Sequence, residues 1–251
     1  MMITKNIPNF ITLLNLLAGS IAVIFAVQNH LIAAALFVGL GIFFDFFDGM
    51  IARLLDVKSE LGLQLDSLAD MVTSGLVPGI VMFQLLRTTL ANPGTAAKDW
   101  TGSSFFEFDF PWIATIGLLV TLASAYRLAN FNIDERQDTS FVGLPTPANA
   151  ILILSLPIIL QFQPTAFATS LILNEWFLIG LTLFSCYILN AEIPLFALKF
   201  KNWSFKENFV RYGFLVLSVI LLVCFHFLAL PMIIIAYLLM SIIFKSKKKG
   251  S

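Results

Sequence analysis

The sequence predicts an all-α, polytopic transmembrane bundle of about eight helices, and three observations carry that prediction. First, hydrophobic residues make up 59% of the 251 residues, mean hydropathy is +0.91, and only 12% are charged. A water-soluble domain carries about twice that share of charge. Second, apolar runs recur at 7–28, 31–56, 61–87, 111–132, 146–162, 174–198, 208–228 and 230–245. Each crosses a hydrocarbon layer of ~30 Å if about 20 residues are helical. Third, Lys and Arg are partitioned. With successive loops on alternate sides, Arg87 and Lys98 share one face and the other 13 of the 15 share the opposite one. By the positive-inside rule this puts both termini in the cytoplasm of a multi-pass cell-membrane protein.

Taken in order, the first run opens "NIPNFITLLNLLAG", with Pro8 and Asn9 where a helix begins. It is long for a signal peptide and reads as a retained helix. The second and third runs meet at the charged turn "LDVKSE", where Asp56, Lys58 and Glu60 read as a solvated turn. The connection 88–110 is the longest, is polar, and has no catalytic motif. Trp112 and Trp176 fall at helix ends, Trp100 and Trp203 in loops, as amphipathic rings at headgroup depth do. The closing "KSKKKGS" reads as a cytoplasmic topology anchor. Cys186 and Cys224 are far apart in apolar segments and read as buried small hydrophobes. His30 and His226 are isolated, so a histidine metal site has no support. No nucleic-acid partner is expected; the partner surface is the lipid bilayer.

Against this background the stretch "DFFDGMIARLLDVKSELGLQLDSLAD" stands out, because it places Asp45, Asp48, Asp66 and Asp70 in membrane-spanning helices. Intramembrane carboxylates are expensive and mark function. Asp45 and Asp70 average to position 57.5, and Asp48 and Asp66 to 57, so both pairs are nearly symmetric about the turn. At 1.5 Å per residue, the members of each pair lie at matched depths. Spacings of i, i+3 and i, i+4 put each helix's two acids on one face. Four convergent carboxylates repel one another, and two divalent cations resolve the repulsion. Ligands that are all oxygen favour Mg²⁺ or Mn²⁺, with Ca²⁺ also fitting, over Zn²⁺. Such a site beside an anionic substrate points to phosphoryl-type chemistry. Gly49 and Gly62 let a ligand approach the backbone, Ala52 keeps the face thin, Arg53 suits a phosphate and Ser59 offers a hydrogen bond.

The string Asp45, Asp48, Gly49, Ala52, Arg53, Gly62, Asp66, Asp70 resembles the signature of the CDP-alcohol phosphatidyltransferases, D-x2-D-G-x2-A-R-x8-G-x3-D-x3-D, with every signature position filled. The helical layout resembles that family over about 5–200. The resemblance implies a six-helix core within 1–200, with 201–251 adding two C-terminal helices and the basic tail. It further implies displacement of CMP from a CDP-linked lipid by an alcohol. Asp45, Asp48 and Asp66 would hold metal, with Asp70 near a second ion and also the general base. Gly49, Arg53 and Ser59 would contact the CDP moiety. A homodimer is implied as well.

"YRLANFN" at 126–132, "FVGLPTPANA" at 141–150 and the opening "IPNFITLLNLLAG" resemble the phosphatidylserine synthase branch. The expected substrates are therefore CDP-diacylglycerol and L-serine. Asn130 departs from that branch, which more often has arginine there. Arg127, Asn130, Asn132 and Arg136 are the candidate acceptor contacts; Arg127 reads equally well as an interfacial anchor. "GLPTPA" reads also as a proline-marked helix start, and Glu192 as a cavity or headgroup residue. Two alternatives stay open. The same family uses other acceptors, such as glycerol 3-phosphate or inositol phosphate, which would need a further cationic pocket. A cation transporter would need a path to both faces, whereas the acids all lie within about three turns of one side.

Overall fold

The computed structural model of the protein describes residues 2–57, 59–91, 111–133, 141–196 and 205–246. Helix α1, Met2–Val27, and helix α2, Leu31–Leu54, are joined by a tight turn in which Asn29 takes a φ of 62°. So short a link leaves only an antiparallel pairing, and the two helices pack along their length. Helix α3, Glu60–Leu90, returns from the charged turn. Its first turn is capped by Ser59, whose hydroxyl accepts from Gly62 N at 3.0 Å.

Helix α3 is irregular in its middle. Residues Met71–Leu76 widen into a π-turn, and the Val77 N–H reaches back to Val72 O. Pro78 supplies the cause: it has no N–H, and its ring would clash with the carbonyl four residues earlier. One extra residue in the turn relieves that conflict. Helix α4, Trp112–Ile133, starts as a 3-10 helix over Trp112–Leu118 behind Pro111.

Helix α5 is Thr146–Phe162, α6 is Ala166–Ile172 and α7 is Glu175–Asn190; α6 and α7 meet at 66°. Two-residue strands, β1 (Phe141–Val142) and β2 (Pro194–Leu195), pair antiparallel in front of α5 and behind α7. Gly143 follows β1 at φ 75°, and a Cβ there would lie 2.4 Å from Leu189 O, so only glycine fits.

Helix α8, Phe205–Phe225, and helix α9, Ala229–Ser246, flank a single 3-10 turn at His226–Leu228. The rings of Phe214 and Tyr237 lie 5.6 Å apart, so the chain folds back on itself there. By length and composition five segments can cross a membrane, or six if α6 and α7 form one broken span; one of the five, Asn208–Phe244, contains the His226 turn. The protein is a polytopic helical bundle.

Three expectations need correction. The segment expected at 174–198 ends at Asn190, because Ala191 turns extended and Pro194 disfavours helix in the residue before it. The short α6 lies where the sequence reading had only a loop. Cys224 is exposed and Cys186 half-buried rather than both buried, since lipid provides an apolar surrounding without protein burial.

The main core gathers small and branched residues from α1 to α7, among them Ala22, Ala34, Val81, Met82, Ile153 and Leu178. A second cluster, Leu144, Ile188, Leu195, Phe214, Tyr237 and Leu238, fastens the C-terminal hairpin to the start of α5 and the end of α7. Outward faces carry Leu17, Ile24, Phe43 and Val223, all exposed, as a lipid-facing surface requires.

Backbones approach closely where α4 crosses α3. A Cβ on Gly117 would fall 2.5 Å from Phe83 N and 2.8 Å from the Met82 carbonyl carbon. Small residues at such crossings let membrane helices approach. Gly117→Val is therefore expected to destabilise the protein by about 1–3 kcal/mol, read as a lower Tm in detergent. An unchanged Tm would show that these backbones do not touch.

Candidate metal centre and substrate site

The α2–α3 hairpin does what the aspartate spacing predicts for three of the four acids. Ligand oxygens of Asp45, Asp48 and Asp66 all lie within 4.8 Å of one another. Asp48 is buried, and Asp45 and Asp66 are half-buried. Oxygen-only donors at this separation fit one hard divalent cation.

Asp70 is close enough to Asp45, Asp48 and Asp66 for their charges to act on one another. It lies one helical turn further along α3, about 6 Å by helix rise. There its Oδ1 accepts from Asn15 Nδ2 at 3.5 Å. Arg127, from α4, is close enough for its charge to act on the same carboxylate. Asp70 therefore stays within electrostatic reach of the other three acids and gains further partners from α1 and α4.

Helix α1 supplies residues that the sequence reading treated only as part of a helix. Thr12 is buried; its hydroxyl lies 2.6 Å from Asp48 Oδ2 and 3.1 Å from Pro8 O. Asn15 is fully buried, and Thr73 of the π-turn donates to its Oδ1 at 2.8 Å. Thr73 thus orients the Asn15 amide that faces Asp70. The signal was available: Asn9, Thr12 and Asn15 are polar residues at three-residue steps in an otherwise apolar helix, which puts them along one side.

The expected phosphate-side residues are placed as follows. Gly49 is open, since a Cβ there would meet only an Arg53 terminal nitrogen at 3.9 Å. Arg53 is exposed and donates from Nε to Gly49 O at 2.8 Å, which holds the guanidinium against the glycine. Ala52 is half-buried on the same helix. Ser59 serves as the α3 cap. Gly62 is needed for closeness, because a Cβ would lie 3.0 Å from both Asn9 Oδ1 and Ser59 Oγ.

On the acceptor side, Arg127 is buried, with Phe131 beneath its guanidinium at 5.9 Å. That burial sets aside the interfacial-anchor reading. Asn132 accepts from Ser67 Oγ at 3.1 Å and so ties α4 to α3. Asn130 is exposed. Arg136 lies outside the described residues. Glu192 is exposed in the turn after α7.

Comparison with known proteins bears on this geometry directly. Residues 5–200 match the CDP-alcohol phosphatidyltransferase family. The chain belongs to that family. It is 32% identical over 142 residues to the CDP-diacylglycerol-serine O-phosphatidyltransferase of Bacillus subtilis (strain 168), covering 56% of this chain and 69% of that protein. It is 28% identical over 196 residues to the protein of the same name from Mycobacterium bovis, covering 75% of this chain and 60% of the relative. It is also 27% identical over 152 residues to the archaetidylserine synthase of Methanothermobacter thermautotrophicus, covering 59% and 56%. The chain thus spans little more than half the length of several of these relatives. Family membership makes the aspartate hairpin the place to look for its chemistry.

Removing the hydroxyl that meets Asp48 gives a direct test of the centre. Residues that orient metal ligands typically contribute about 10–100-fold to metal affinity. Thr12→Val is therefore expected to weaken Mn²⁺ binding by about that factor, measured by calorimetric titration of the detergent-solubilised protein. Wild-type affinity in this variant would separate Thr12 from the centre.

Proposed function

We propose that this chain joins L-serine to CDP-diacylglycerol, yielding phosphatidylserine and CMP, at the cytoplasmic side of a cell membrane. The observation that carries the reading is the convergence of Asp45, Asp48 and Asp66 on one hairpin. Relatives named as serine transferases support the acceptor. The Lys and Arg distribution supports the sidedness.

Asp45, Asp48 and Asp66 would hold a divalent cation, Mg²⁺ or Mn²⁺, with Asp70 near a second. Bound there, such an ion supplies charge neutralisation for the diphosphate and the departing CMP. The chain's own residues do the rest. Open backbone at Gly49, with Arg53 held beside it, receives the CDP head while the acyl chains stay among the lipid-facing helices. The serine hydroxyl oxygen forms a bond to the phosphorus that carries diacylglycerol. The bond from that phosphorus to the oxygen of CMP breaks, and CMP leaves with the electron pair. The hydroxyl proton passes to Asp70, whose carboxylate is oriented by Asn15 and influenced by Arg127.

Two measurements test this reading. Purified protein with Mn²⁺ and CDP-diacylglycerol is given labelled serine, glycerol 3-phosphate or inositol phosphate in separate reactions. Labelled lipid is expected from serine; its absence there, with label from another acceptor, would reassign the substrate. Metal flux in liposomes without CMP release would instead favour a transporter. Separately, Asp70→Asn is expected to lower turnover by about 10²–10⁴-fold while CDP-lipid binding persists. Full turnover in that variant would remove Asp70 from the role of base.

A further inference from the structure

Helices α8 and α9 lie beyond residue 200, where the family match ends, so the family core does not account for them. Their attachment to the bundle is specific at two places. At the His226 turn, the Gln163 side chain at the end of α5 accepts from Phe227 N at 3.1 Å and from Leu228 N at 3.3 Å. The rings of Phe162 and Phe227 lie 5.4 Å apart there. Further along α9, the Tyr237 hydroxyl donates to Phe196 O at 2.9 Å, with the two rings 5.0 Å apart.

Phe196 directly follows β2, and α9 packs on that strand. The two-stranded ribbon needs such a cover. Helix α5 has 17 residues, about 25 Å by helix rise, which falls short of a hydrocarbon layer of ~30 Å. The chain completes the depth with non-helical backbone, which membranes tolerate only where protein covers its polar groups. From the ribbon a short path leads to the reacting centre. Gly143 N donates to Ile193 O at 3.0 Å, and Ile193 N donates to Ala191 O at 2.7 Å, which leaves little slack between β2 and Asn190. Asn190 donates from Nδ2 to Ala123 O at 3.1 Å. In an α-helix that carbonyl also receives the N–H of the residue four positions later, here Arg127. Arg127 is buried and brings its charge to Asp70.

We propose that Tyr237 is a positioning residue for the reaction: its hydroxyl anchors the ribbon, and the ribbon holds Asn190 against the turn of α4 that presents Arg127 to Asp70. This rests on the transferase reading above but not on which alcohol is the acceptor. Tyr237 acts from outside the family core and touches no reacting atom. A tyrosine suits the place, because its ring packs with Phe196 and Phe214 while its hydroxyl pairs a carbonyl set in an apolar cluster. Without the hydroxyl that carbonyl loses its donor, at a cost that loosens β2 where it meets α9. The loosening passes through Asn190 to the Arg127 turn. The Gln163 contact, at the other end of the same helical hairpin, bears on the His226 turn instead. The two C-terminal helices thereby brace the reacting centre through one hydroxyl.

Tyr237→Phe removes the hydroxyl and keeps the ring, whereas Gln163→Leu loosens the same hairpin at its other end. CMP release by the purified proteins is measured with Mn²⁺, CDP-diacylglycerol and L-serine, alongside thermal unfolding and hydrogen exchange at the Gly143 and Leu144 amides. In Tyr237→Phe, kcat is expected to fall about ten-fold, with the KM for CDP-diacylglycerol within about two-fold of wild type and faster exchange at both amides. In Gln163→Leu the Tm is expected to fall while kcat stays within about two-fold of wild type. Combining Tyr237→Phe with Asn190→Leu is expected to cost little beyond the more severe single change, because both act along one path. Wild-type kcat or unchanged exchange in Tyr237→Phe would overturn the proposal. So would an equal loss of kcat in Gln163→Leu, which marks general loosening, or losses that multiply in full in the double variant. Should Tyr237→Phe fail to fold, Asn190→Leu decides, and wild-type kcat there would break the path. Wild-type protein that releases no CMP with any acceptor would overturn the transferase reading and this role with it, while the exchange measurement still reports whether Tyr237 holds the ribbon.

Discussion

Acidic side chains inside a membrane are the constraint around which this protein is arranged. Asp45, Asp48 and Asp66 bring like charges within 4.8 Å of one another in a region from which most water is absent. Their repulsion and lost hydration oppose folding unless other groups compensate. Part of the compensation is on the chain: Thr12 contacts Asp48, Asn15 donates to Asp70, and Arg127 brings a positive charge towards Asp70. Among the described residues no such cation meets the trio itself, and three oxygen donors so close together suit a divalent ion. Stability and chemistry are therefore coupled at one place, and the helices that flank the hairpin are there as much to complete the site as to enclose it.

The π-turn of α3 links the fold to that site. Pro78 disrupts regular hydrogen bonding just past Asp70, and the widened turn sends the Thr73 side chain towards α1. There Thr73 and Asn15 make a buried polar contact that fixes the amide beside Asp70. The same turn exposes Gly75 O to Thr121 and brings Ser74 to the α4 side. A regular helix through these residues would rotate everything after Asp70 by a fraction of a turn and misalign both contacts. The irregularity is thus a positioning device, in keeping with the frequent appearance of π-turns at functional sites.

Around Asp70 the site divides into two chemically different halves. Towards the charged turn lie the carboxylates, open backbone at Gly49 and the guanidinium of Arg53 held beside it, which suit a metal-bound diphosphate. Towards the bundle interior lie buried hydroxyls, an amide and the Arg127 guanidinium. A carboxylate at the boundary can take a proton from one side as a bond forms on the other. The tethers Leu144 to Ile188 and Asn190 to Ala123 hold the inner half together from three helices. The C-terminal hairpin reaches the same region through the cluster of Phe214 and Tyr237 with Leu144 and Ile188.

Much of the architecture was legible in the residues. Apolar run lengths and cation placement are local properties, and they identified the helical segments and the aspartate hairpin; a turn with acids at i, i+3 and i, i+4 can present them only on facing sides. Departures arose where a local pattern had to be combined with a partner far away in the chain. The helix beginning near 174 stopped at Asn190 because of Pro194, and the polar steps Asn9, Thr12 and Asn15 acquired meaning only once α1 lay against Asp48 and Asp70. By itself, then, the sequence determined the membrane bundle, the acidic hairpin and its family, because spacing along a helix sets depth and face. Tertiary packing alone decided that Asn15 of α1 and Arg127 of α4 come to Asp70, and that Thr12 meets Asp48. Those outcomes depend on helix crossings and rotations, which no single segment encodes.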